Sequence, residues 1–440
     1  MSLGHEAETI YALASGAGRA AVAVLRLSGP RVPKIVATIV GKDVAPRKAV
    51  LATFRDPATS EAIDRGLCLV FPAPASFTGE DCAEFHLHGG LAVVAAMLAA
   101  LARFPGTRPA EAGEFTRRAF ENGKLDLSEV EGLADLIEAE TDMQRRQALR
   151  QARGTLRHKV EAWRQALLEA SALLEAEIDF ADEGDVAPLA RKELAQALAP
   201  VRADLTAALA QGRAGEIVRD GVTVVIAGPP NAGKSTLLNT LARREAAIVS
   251  PIPGTTRDAI EVHLDIAGFA FVLIDTAGLR ETADPVESIG VARTRARVDA
   301  ADLVLWLSET SAPAPADLPA SVPVWPIHSK SDLDGGAPSG GLAISAMTGA
   351  NLDRLIEKLA GFVRDAAGQI ESGLITRERH RRAFEKAAAA LDRAGAEING
   401  PVELLGEDLR TAIRALESLI GRIDVEDVLG EIFARFCIGK

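Results

Sequence analysis

The sequence predicts a multidomain protein that combines α/β and all-α parts, with one α/β domain inserted into a helical domain. Its 440 residues exceed what a single hydrophobic core usually organises. Residues 19–124 mix β-like runs with one helix-like run, whereas residues 220–367 alternate apolar strands with helical segments. Helical periodicity precedes and follows the second region, so the simplest architecture places that region inside a helical domain.

The predicted boundaries give an α/β domain at 1–124, a helical domain at 125–217 and 371–440, and an inserted domain at 218–370. In the first domain the runs AAVAVLRLSG, GLCLVF and CAEFHLHGG resemble strands, and LAVVAAMLAALARF resembles a helix. A capping-box spacing of Ser128 and Glu131 predicts where the helical domain begins. Its apolar faces are Val160, Trp163, Leu167, Leu174 and Ile178, and later Leu409, Ile413, Leu416, Ile420 and Ile423.

Composition excludes several classes of protein. The net charge of −12 argues against a surface that attracts nucleic acid everywhere, so any such site must be local. Cys68, Cys82 and Cys437 lack metal-type spacing, which disfavours a zinc site or a disulfide framework and favours a reducing compartment. Cys68 and Cys82 fit strand cores. No apolar run of about 18 residues is present, so we expect no membrane insertion and a cytoplasmic location.

The strongest local signal is a phosphate-binding loop. The strand-like VTVVIAG runs into GPPNAGKS, Gly228 to Ser235, and then into the helix-like TLLNTLA. Backbone N–H groups of such a loop point at phosphate oxygens, Lys234 reaches the β- and γ-phosphates, and Ser235 can bind Mg²⁺. The order of strand, loop and helix makes a plain glycine turn a poor alternative.

Further motifs predict a switch-type GTPase. PGTTRD supplies the hydroxyls of Thr255 and Thr256, and DTAG supplies Asp275 for a metal and Gly278 for the γ-phosphate. The strand VPVWPIH is followed by Ser329-Lys330-Ser331-Asp332, in which the Asp332 carboxylate can accept from guanine. Serine stands where such a motif normally has asparagine, so we expect weaker base binding. Ser345-Ala346 would complete the guanine site.

The residue that orients the attacking water is ambiguous in the local sequence. Many GTPases place a glutamine shortly after DTAG, but this chain continues with leucine and arginine. Glu281, Asp284 and Glu287 follow in one segment, and a carboxylate can orient water. Local chemistry does not separate these three, and a solvated acidic loop is the alternative.

A resemblance to a known family narrows these alternatives. GPPNAGKS, AAIVSPIPGTTRD, DTAGLRETADPVESIG, ASFTGEDCAEFHLHGG, EAGEFTRRAFENGKLDLSEVEGLADLI and the terminal FCIGK closely resemble the MnmE (TrmE) family of tRNA-modification GTPases. The match covers essentially the whole chain. It implies a tetrahydrofolate-binding α/β domain, a helical domain and an inserted Ras-like P-loop GTPase domain.

For the GTPase domain, the resemblance implies potassium activation and catalysis by Glu287 and Lys234. A K⁺ ion would be coordinated by Asn231, Ser250, Ile252 and Thr255, and Mg²⁺ by Ser235 and Thr256. A monovalent cation there would offset charge that develops during phosphoryl transfer. The nucleotide-binding set is Asn231, Ala232, Gly233, Lys234, Ser235, Thr236, Ser250, Pro251, Ile252, Pro253, Gly254, Thr255, Thr256, Asp275, Thr276, Ala277, Gly278, Ser329, Lys330, Asp332, Ser345, Ala346 and Met347.

For the N-terminal domain, the resemblance implies constitutive dimerisation and binding of 5,10-methylene- or 5-formyl-tetrahydrofolate. The folate contacts carried over are Arg26, Glu84, Lys124 and Lys440. A carboxylate suits the N–H edge of the pterin, and cations suit its glutamate tail. Cys437 is a candidate nucleophile, although a buried, unreactive cysteine is the commoner case. Ser15-Gly16-Ala17-Gly18 departs from the family's usual turn.

The implied reaction attaches an aminomethyl or carboxymethylaminomethyl group to C5 of the wobble uridine of certain tRNAs. The resemblance also implies that FAD acts only through a partner, MnmG (GidA), in a heterotetramer or larger assembly. The lack of a dinucleotide fingerprint in this chain is consistent with that. Two basic clusters are candidates for contacts with tRNA phosphates, although solvated helix faces paired with glutamate are the favoured explanation. They are Arg146, Arg150, Arg153 and Arg157 on one helical face, and Arg377, Arg379, His380, Arg381 and Arg382.

Two other functions share part of this pattern. A ribosome-assembly GTPase has the same nucleotide motifs, but an RNA-binding appendage with a GXXG loop is expected and none is seen. A nucleotide-gated folate-binding scaffold without direct chemistry would also carry both sites.

Overall fold

The computed structural model describes residues 8–179, 186–244, 261–275, 298–310, 314, 319–334, 341–367, 373–423, 429–430, 432–433, 436 and 439. The chain divides into two compact units. One comprises Met1–Ala134 with Glu417–Lys440, and the other comprises Asp135–Leu416. The C-terminal segment therefore belongs to the unit that contains the N-terminal α/β domain.

The first unit is built on a six-stranded sheet in the order β3-β4-β5-β2-β1-β6. All neighbouring strands are antiparallel except β1 and β6, which are parallel. The strands are β1 Thr9–Leu13, β2 Ala20–Ser28, β3 Val50–Arg55, β4 Ala62–Phe71, β5 Cys82–Gly89 and β6 Thr107–Pro109. The helices are α1 Val32–Val40, α2 Leu91–Ala102, α3 Glu114–Glu121 and α4 Leu127–Glu138, which extends into the second unit.

One face of this sheet forms the hydrophobic core with α1 and α2. Phe54, Leu25 and Phe85 from the strands pack with Ile35 and Met97 from the helices. Because side chains alternate along a strand, the intervening residues point to the opposite face. That opposite face carries the predicted folate-binding residues of β2 and β5.

The start of α4 differs from the predicted capping box. Asp126 Oδ1 accepts from Glu129 N at 2.8 Å, and Glu129 Oε2 accepts from Asp126 N at 2.7 Å. Ser128 lies inside the helix and donates to Asp126 at 2.7 Å. The prediction of Ser128 and Glu131 as the cap was therefore wrong by two residues, because Asp126 offers the same reciprocal pattern earlier.

The second unit contains long helices and a second sheet. The helices are α5 Asp142–Ala152, α6 Thr155–Asp179, α7 Val186–Asp220, α8 Lys234–Arg244, α9 Ser331–Asp334, α10 Leu352–Ala367, α11 Glu378–Ala396 and α12 Val402–Leu419. Val160, Trp163, Leu167 and Leu174 are buried as predicted. Ile178 lies where the structure does not describe side chains. Of the later stripe, Leu409 and Leu416 are buried, and so is Ile420, which belongs to the first unit.

The second sheet has the order β12-β11-β10-β7-β9-β8. Its strands are β7 Val222–Ala227, β8 Glu261–Ile266, β9 Phe269–Asp275, β10 Leu303–Ser308, β11 Val324–His328 and β12 Leu342–Ala343. All pairs are parallel except β8 with β9. Helical packing continues through α7 to Asp220, directly before β7, so the helical core leads into the sheet with almost no linker.

The arginines at 146–157 do not share one helix. Arg146 and Arg150 lie on α5, which ends at Ala152, and Arg157 lies on α6. Gly154 between them has a φ of +78°, the left-handed conformation that commonly ends a helix. The predicted single basic face is therefore wrong.

None of the described helices is long and apolar enough to cross a membrane.

Candidate functional site

The predicted nucleotide-binding segments follow neighbouring strands of the second sheet. The phosphate loop follows β7, Asp275 ends β9, Ser329 follows β11, and Ser345 lies two residues after the end of β12. The strands are parallel, and their registers bring these ends to the same edge. In open α/β sheets, ligands bind at the carboxyl edge of the strands.

The phosphate loop contacts a buried lysine side chain, that of Lys234. Lys234 is 8% exposed, and its Nζ donates to the carbonyl oxygens of Gly228 and Pro229, each at 2.9 Å. Burial lowers the pKa of Lys234, and the negative charge of Asp275 opposes that shift. Asn231, at the exposed tip of the loop, has a left-handed φ of +64°. The loop therefore presents a lysine that phosphate oxygens can engage in place of its own carbonyls.

Two predicted metal-binding side chains lie together beside this loop. Ser235 Oγ donates to Asp275 Oδ2 at 2.5 Å, and Asp275 is 1% exposed. A hydroxyl and a carboxylate oxygen are the donors that Mg²⁺ prefers. The residues present therefore fit a magnesium ion.

The predicted base-binding segment is held by β10 and β11. Ser329 N donates to Ser308 O at 3.1 Å, while the buried Ser329 Oγ has no hydrogen-bond partner among the described residues. Lys330 Nζ forms an ion pair with Glu309 at 2.5 Å. Asp332 is exposed at the start of α9. Its carboxylate is thus accessible to a ligand.

The last predicted base-side element is tied to the helix that follows the phosphate loop. Ser345 is fully buried, and its Oγ accepts from Thr348 N at 3.2 Å. Thr240 on α8 donates to Ala346 O at 3.1 Å. Met347 is 80% exposed. Sequence reasoning missed Thr240 and Glu309, although the place of Glu309 just after a strand end was an available signal.

Several predicted residues lie outside the described part of the chain. They are the candidate catalytic residues Glu287 and Cys437, the alternatives Glu281 and Asp284, the folate contact Lys440, and the nucleotide or metal contacts Ser250, Pro251, Ile252, Pro253, Gly254, Thr255, Thr256, Thr276, Ala277 and Gly278.

In the first unit, Arg26 and Glu84 face each other across β2 and β5. Arg26 Nε and Nη2 donate to the same Glu84 oxygen, Oε1, at 3.1 and 3.0 Å. His86 Nε2 lies 3.3 Å from the other oxygen, Oε2. The Arg26 guanidinium also lies 5.5 Å from the ring centroid of Phe77. This half-exposed group of side chains combines a carboxylate, a cation and an aromatic ring.

Lys124 contacts the same loop that carries Phe77. Its Nζ donates to Pro74 O at 3.1 Å, so Arg26 and Lys124 both reach residues 72–80. Gly439 lies against the end of β1, where an added Cβ would be 2.3 Å from Leu13 O. Its φ of +104° also requires glycine. Gly439 therefore lies beside β1, the strand next to the one that carries Arg26.

The cysteine predictions for the strand cores are confirmed. Cys68 and Cys82 are buried on β4 and β5. Burial raises the pKa of Cys68 to about 12. Since the thiolate is the reactive form, Cys68 is unreactive near neutral pH.

Most members of the second arginine cluster are engaged within the protein. Arg377 contacts Asp135, Arg381 contacts Glu216, and Arg382 contacts Glu378. His380 is fully buried. These contacts fit ion-paired helix faces better than a free phosphate-binding surface.

The fold and the phosphate-loop site define a multidomain P-loop GTPase, in which the GTPase domain interrupts a helical domain and an α/β domain precedes both. The sequence matches the families described as "GTP-binding protein TrmE N-terminus" over residues 9–124 and "MnmE helical domain" over residues 127–437. The chain belongs to the MnmE family of tRNA-modification GTPases, and it is a GTP-binding GTP hydrolase of the P-loop class.

Two relatives named as MnmE support this assignment. The chain is 60% identical over 442 residues to the tRNA modification GTPase MnmE of Beijerinckia indica, covering 100% of this chain and 98% of that protein. It is 55% identical to the MnmE of Methylobacterium sp., covering 98% of this chain and all of that one. Among solved structures, Era of Aquifex aeolicus bound to GDP·AlF₄⁻ covers 32% of this chain and 56% of its own at 28% identity, with a TM-score of 0.27.

Proposed function

We propose that this chain is a potassium-activated GTPase that, with an FAD-dependent partner, adds a (carboxymethyl)aminomethyl group to C5 of the wobble uridine of certain tRNAs. The one-carbon unit would come from a tetrahydrofolate. The observation that carries the proposal is the gathering of Lys234, Ser235 and Asp275 at one sheet edge, in a chain of the MnmE family.

GTP hydrolysis is assigned to the phosphate-loop site. Lys234 would exchange its two carbonyl contacts for phosphate oxygens, which are stronger acceptors because they are charged. Ser235 and Thr256 would hold Mg²⁺, with Asp275 next to it, and the ion would neutralise charge on the β- and γ-phosphates. Glu287 would orient the attacking water.

Potassium activation is assigned to Asn231 with Ser250, Ile252 and Thr255. The exposed position of Asn231 at the tip of the loop supports this, because an amide oxygen there can reach an ion beside the phosphates. A bound K⁺ would supply positive charge close to the transferring phosphoryl group. The side chains of two GTPase domains would meet across this ion when the domains dimerise.

Folate binding is assigned to Arg26, Glu84, Lys124 and Lys440. Contacts of Arg26 and Lys124 with one loop support a common site, as does the position of Gly439 beside β1. The same sheet face exposes Leu51 and Leu67 at 51% and 38%. These apolar side chains support a homodimer through the N-terminal domain, because a second copy would cover them.

The protein would act in a complex with a partner protein and tRNA. The partner would be MnmG, which would bring FAD and form a heterotetramer or larger complex with this protein. Cytoplasmic tRNA would be the macromolecular substrate, which gives the protein a cytoplasmic location. The domain boundaries would be 1–124 for folate binding, 125–217 and 371–440 for the helical domain, and 218–370 for the GTPase domain.

Two experiments test the proposal. GTP turnover by the full-length protein should be much faster in KCl than in NaCl, and equal rates would remove the role of potassium. Mass-spectrometric nucleoside analysis of tRNA from cells that lack the protein should show unmodified wobble uridines. Normal modification in those cells would overturn the assignment, whatever the GTPase rates.

A further inference from the structure

The Glu84 carboxylate is held from two sides by different partners. Both hydrogen bonds from Arg26 end on Oε1, at 3.1 and 3.0 Å. The contact at Oε2 comes from His86 Nε2, at 3.3 Å. A guanidinium that bonds one oxygen only does not restrict rotation of the carboxylate as a two-oxygen fork does. The orientation of Glu84 therefore depends on His86 as well as on Arg26.

The backbone fixes His86 for this role. Glu84 and His86 are two residues apart on β5, so both side chains point to the same face of the sheet. β5 lies between β4 and β2, and His86 is paired with Leu67 on one side and Val24 on the other. A residue on a central strand, hydrogen-bonded on both sides, holds its Cβ position more firmly than a residue on a loop.

We propose that His86 is a positioning residue for folate binding, which orients the Glu84 carboxylate toward the N–H edge of the pterin. This rests on the proposed folate site. Recognition of two neighbouring N–H groups requires both carboxylate oxygens to lie in the plane of the ligand. Each oxygen has two lone pairs, so Oε2 can accept from His86 and from the ligand at once. In this role the Nε2–H of His86 donates and Glu84 accepts.

A neighbouring histidine provides a matched control. His88 lies two residues further along β5, and its Nδ1 is 2.9 Å from Asp64 Oδ1. Its side chain is 74% exposed, against 30% for His86. Among the described residues, the carboxylate next to His88 is Asp64 and the one next to His86 is Glu84. Replacing His88 thus removes a similar contact between a histidine ring nitrogen and a carboxylate without touching Glu84.

The experiment measures the Kd of 5-formyl-tetrahydrofolate for the full-length protein by isothermal titration calorimetry. We expect His86→Leu to raise the Kd roughly tenfold, which corresponds to one hydrogen bond to a charged group. His86→Gln, which keeps an N–H donor, should bring the Kd back close to that of the wild type. His88→Leu should bind like the wild type, and Arg26→Ala should lose most binding. The control His88→Leu should also keep the GTP turnover of the wild type.

Several results would overturn the proposed role of His86. A wild-type Kd in His86→Leu, with binding lost in Arg26→Ala, would overturn the role of His86 and leave the folate site in place. Failure of His86→Gln to recover affinity, or equal losses in His86→Leu and His88→Leu, would indicate a structural effect and also overturn it. A wild-type protein that turns over GTP but binds no folate would overturn both proposals.

Discussion

The departures of single residues from the expected motifs have direct energetic consequences. Ser329 is the clearest case, since its buried hydroxyl has no partner among the described residues. A buried polar group without a hydrogen bond is unfavourable until a ligand or a longer side chain satisfies the site. The base-binding segment is thus less fully preorganised than an asparagine would make it.

We therefore expect Ser329→Asn to tighten GDP and GTP binding. An amide that makes one additional hydrogen bond would lower the Kd about tenfold, or about 1.4 kcal/mol. Titration with a fluorescent guanine nucleotide measures this directly. Ser331→Asn, two residues along in the same segment, is the control and should leave the Kd unchanged. A Kd in Ser329→Asn equal to or weaker than that of the wild type would contradict this account.

Glu287 provides a second test at the scale of one residue. Glu287→Ala should lower the turnover of GTP by about 100-fold or more, since a positioned carboxylate that acts on water contributes at least that much. The Kd for GTP should stay the same, because the carboxylate is expected to act on water rather than on the nucleotide. Single-turnover kinetics in KCl separates the two quantities.

Glu281→Ala and Asp284→Ala serve as matched controls for Glu287. They remove the other two carboxylates of the same segment. If either control variant slowed GTP turnover as much as Glu287→Ala, the assignment of Glu287 as the residue that orients water would be wrong.

At the scale of elements, Asp135 joins the helices that flank the inserted domain. Its Oδ1 accepts from Arg219 Nε at 3.1 Å, near the end of α7, and from Arg377 Nη2 at 2.5 Å, at the N-cap of α11. Side-chain exposures of 11–17% shield these contacts from solvent. Gln144 adds a bond to Arg219 O at 3.0 Å. The Asp135 carboxylate thus contacts both segments that connect the helices to the inserted domain, one at the end of α7 and one at the start of α11.

Asp135→Asn should lower the free energy of unfolding by about 2 kcal/mol, since it removes the charge of the acceptor that two partly buried arginines share, while Arg219 keeps its ion pair with Asp220. Chemical denaturation followed by circular dichroism measures the loss. Asp142→Asn is the control, because the Arg145 and Arg146 side chains that contact Asp142 are exposed. These two exposed ion pairs should contribute little to stability, because solvent screens them. Similar losses in the two variants would refute the role of Asp135.

The sequence predicted correctly those elements that a short segment determines, and missed those that depend on contacts with distant residues. The strand, loop and helix around Lys234 were predicted correctly, because an apolar run and a spaced motif lie within a short segment. β1 was missed, since Thr9–Leu13 is a strand through pairing with β2 on one side and, on the other, with β6 nearly 100 residues away. The prediction of one arginine-rich helical face was wrong because Gly154 separates α5 from α6. His86 was missed because its role depends on Glu84 being held across two strands.

At the scale of the whole molecule, the chain end and the GTPase site can be tested independently. Gly439 lies against β1 in the first unit, while Lys234 belongs to the second. Deletion of Lys440 should therefore weaken binding of 5-formyl-tetrahydrofolate, by about tenfold or more for one lost charged contact. Potassium-dependent GTP turnover should remain. Calorimetry and a phosphate-release assay on the same preparation measure both.

A Lys124→Ala variant should behave like the deletion of Lys440, because both lysines are assigned to the folate site. A parallel loss of folate binding and GTP turnover in either variant would assign the residue a structural role instead.

The double contact at Asp135 also bears on how such a chain could have been assembled. Because Arg219 and Arg377 reach one oxygen atom, the two ends of the inserted domain are neighbours in space. A domain whose ends are adjacent behaves as a cassette: it can be gained, lost or exchanged without rethreading the host, as in tolerated domain insertions. Without the inserted domain, a short loop from α7 to α11 would be enough to connect the two parts of the helical domain. The interruption of one domain by another thus imposes little topological constraint on either.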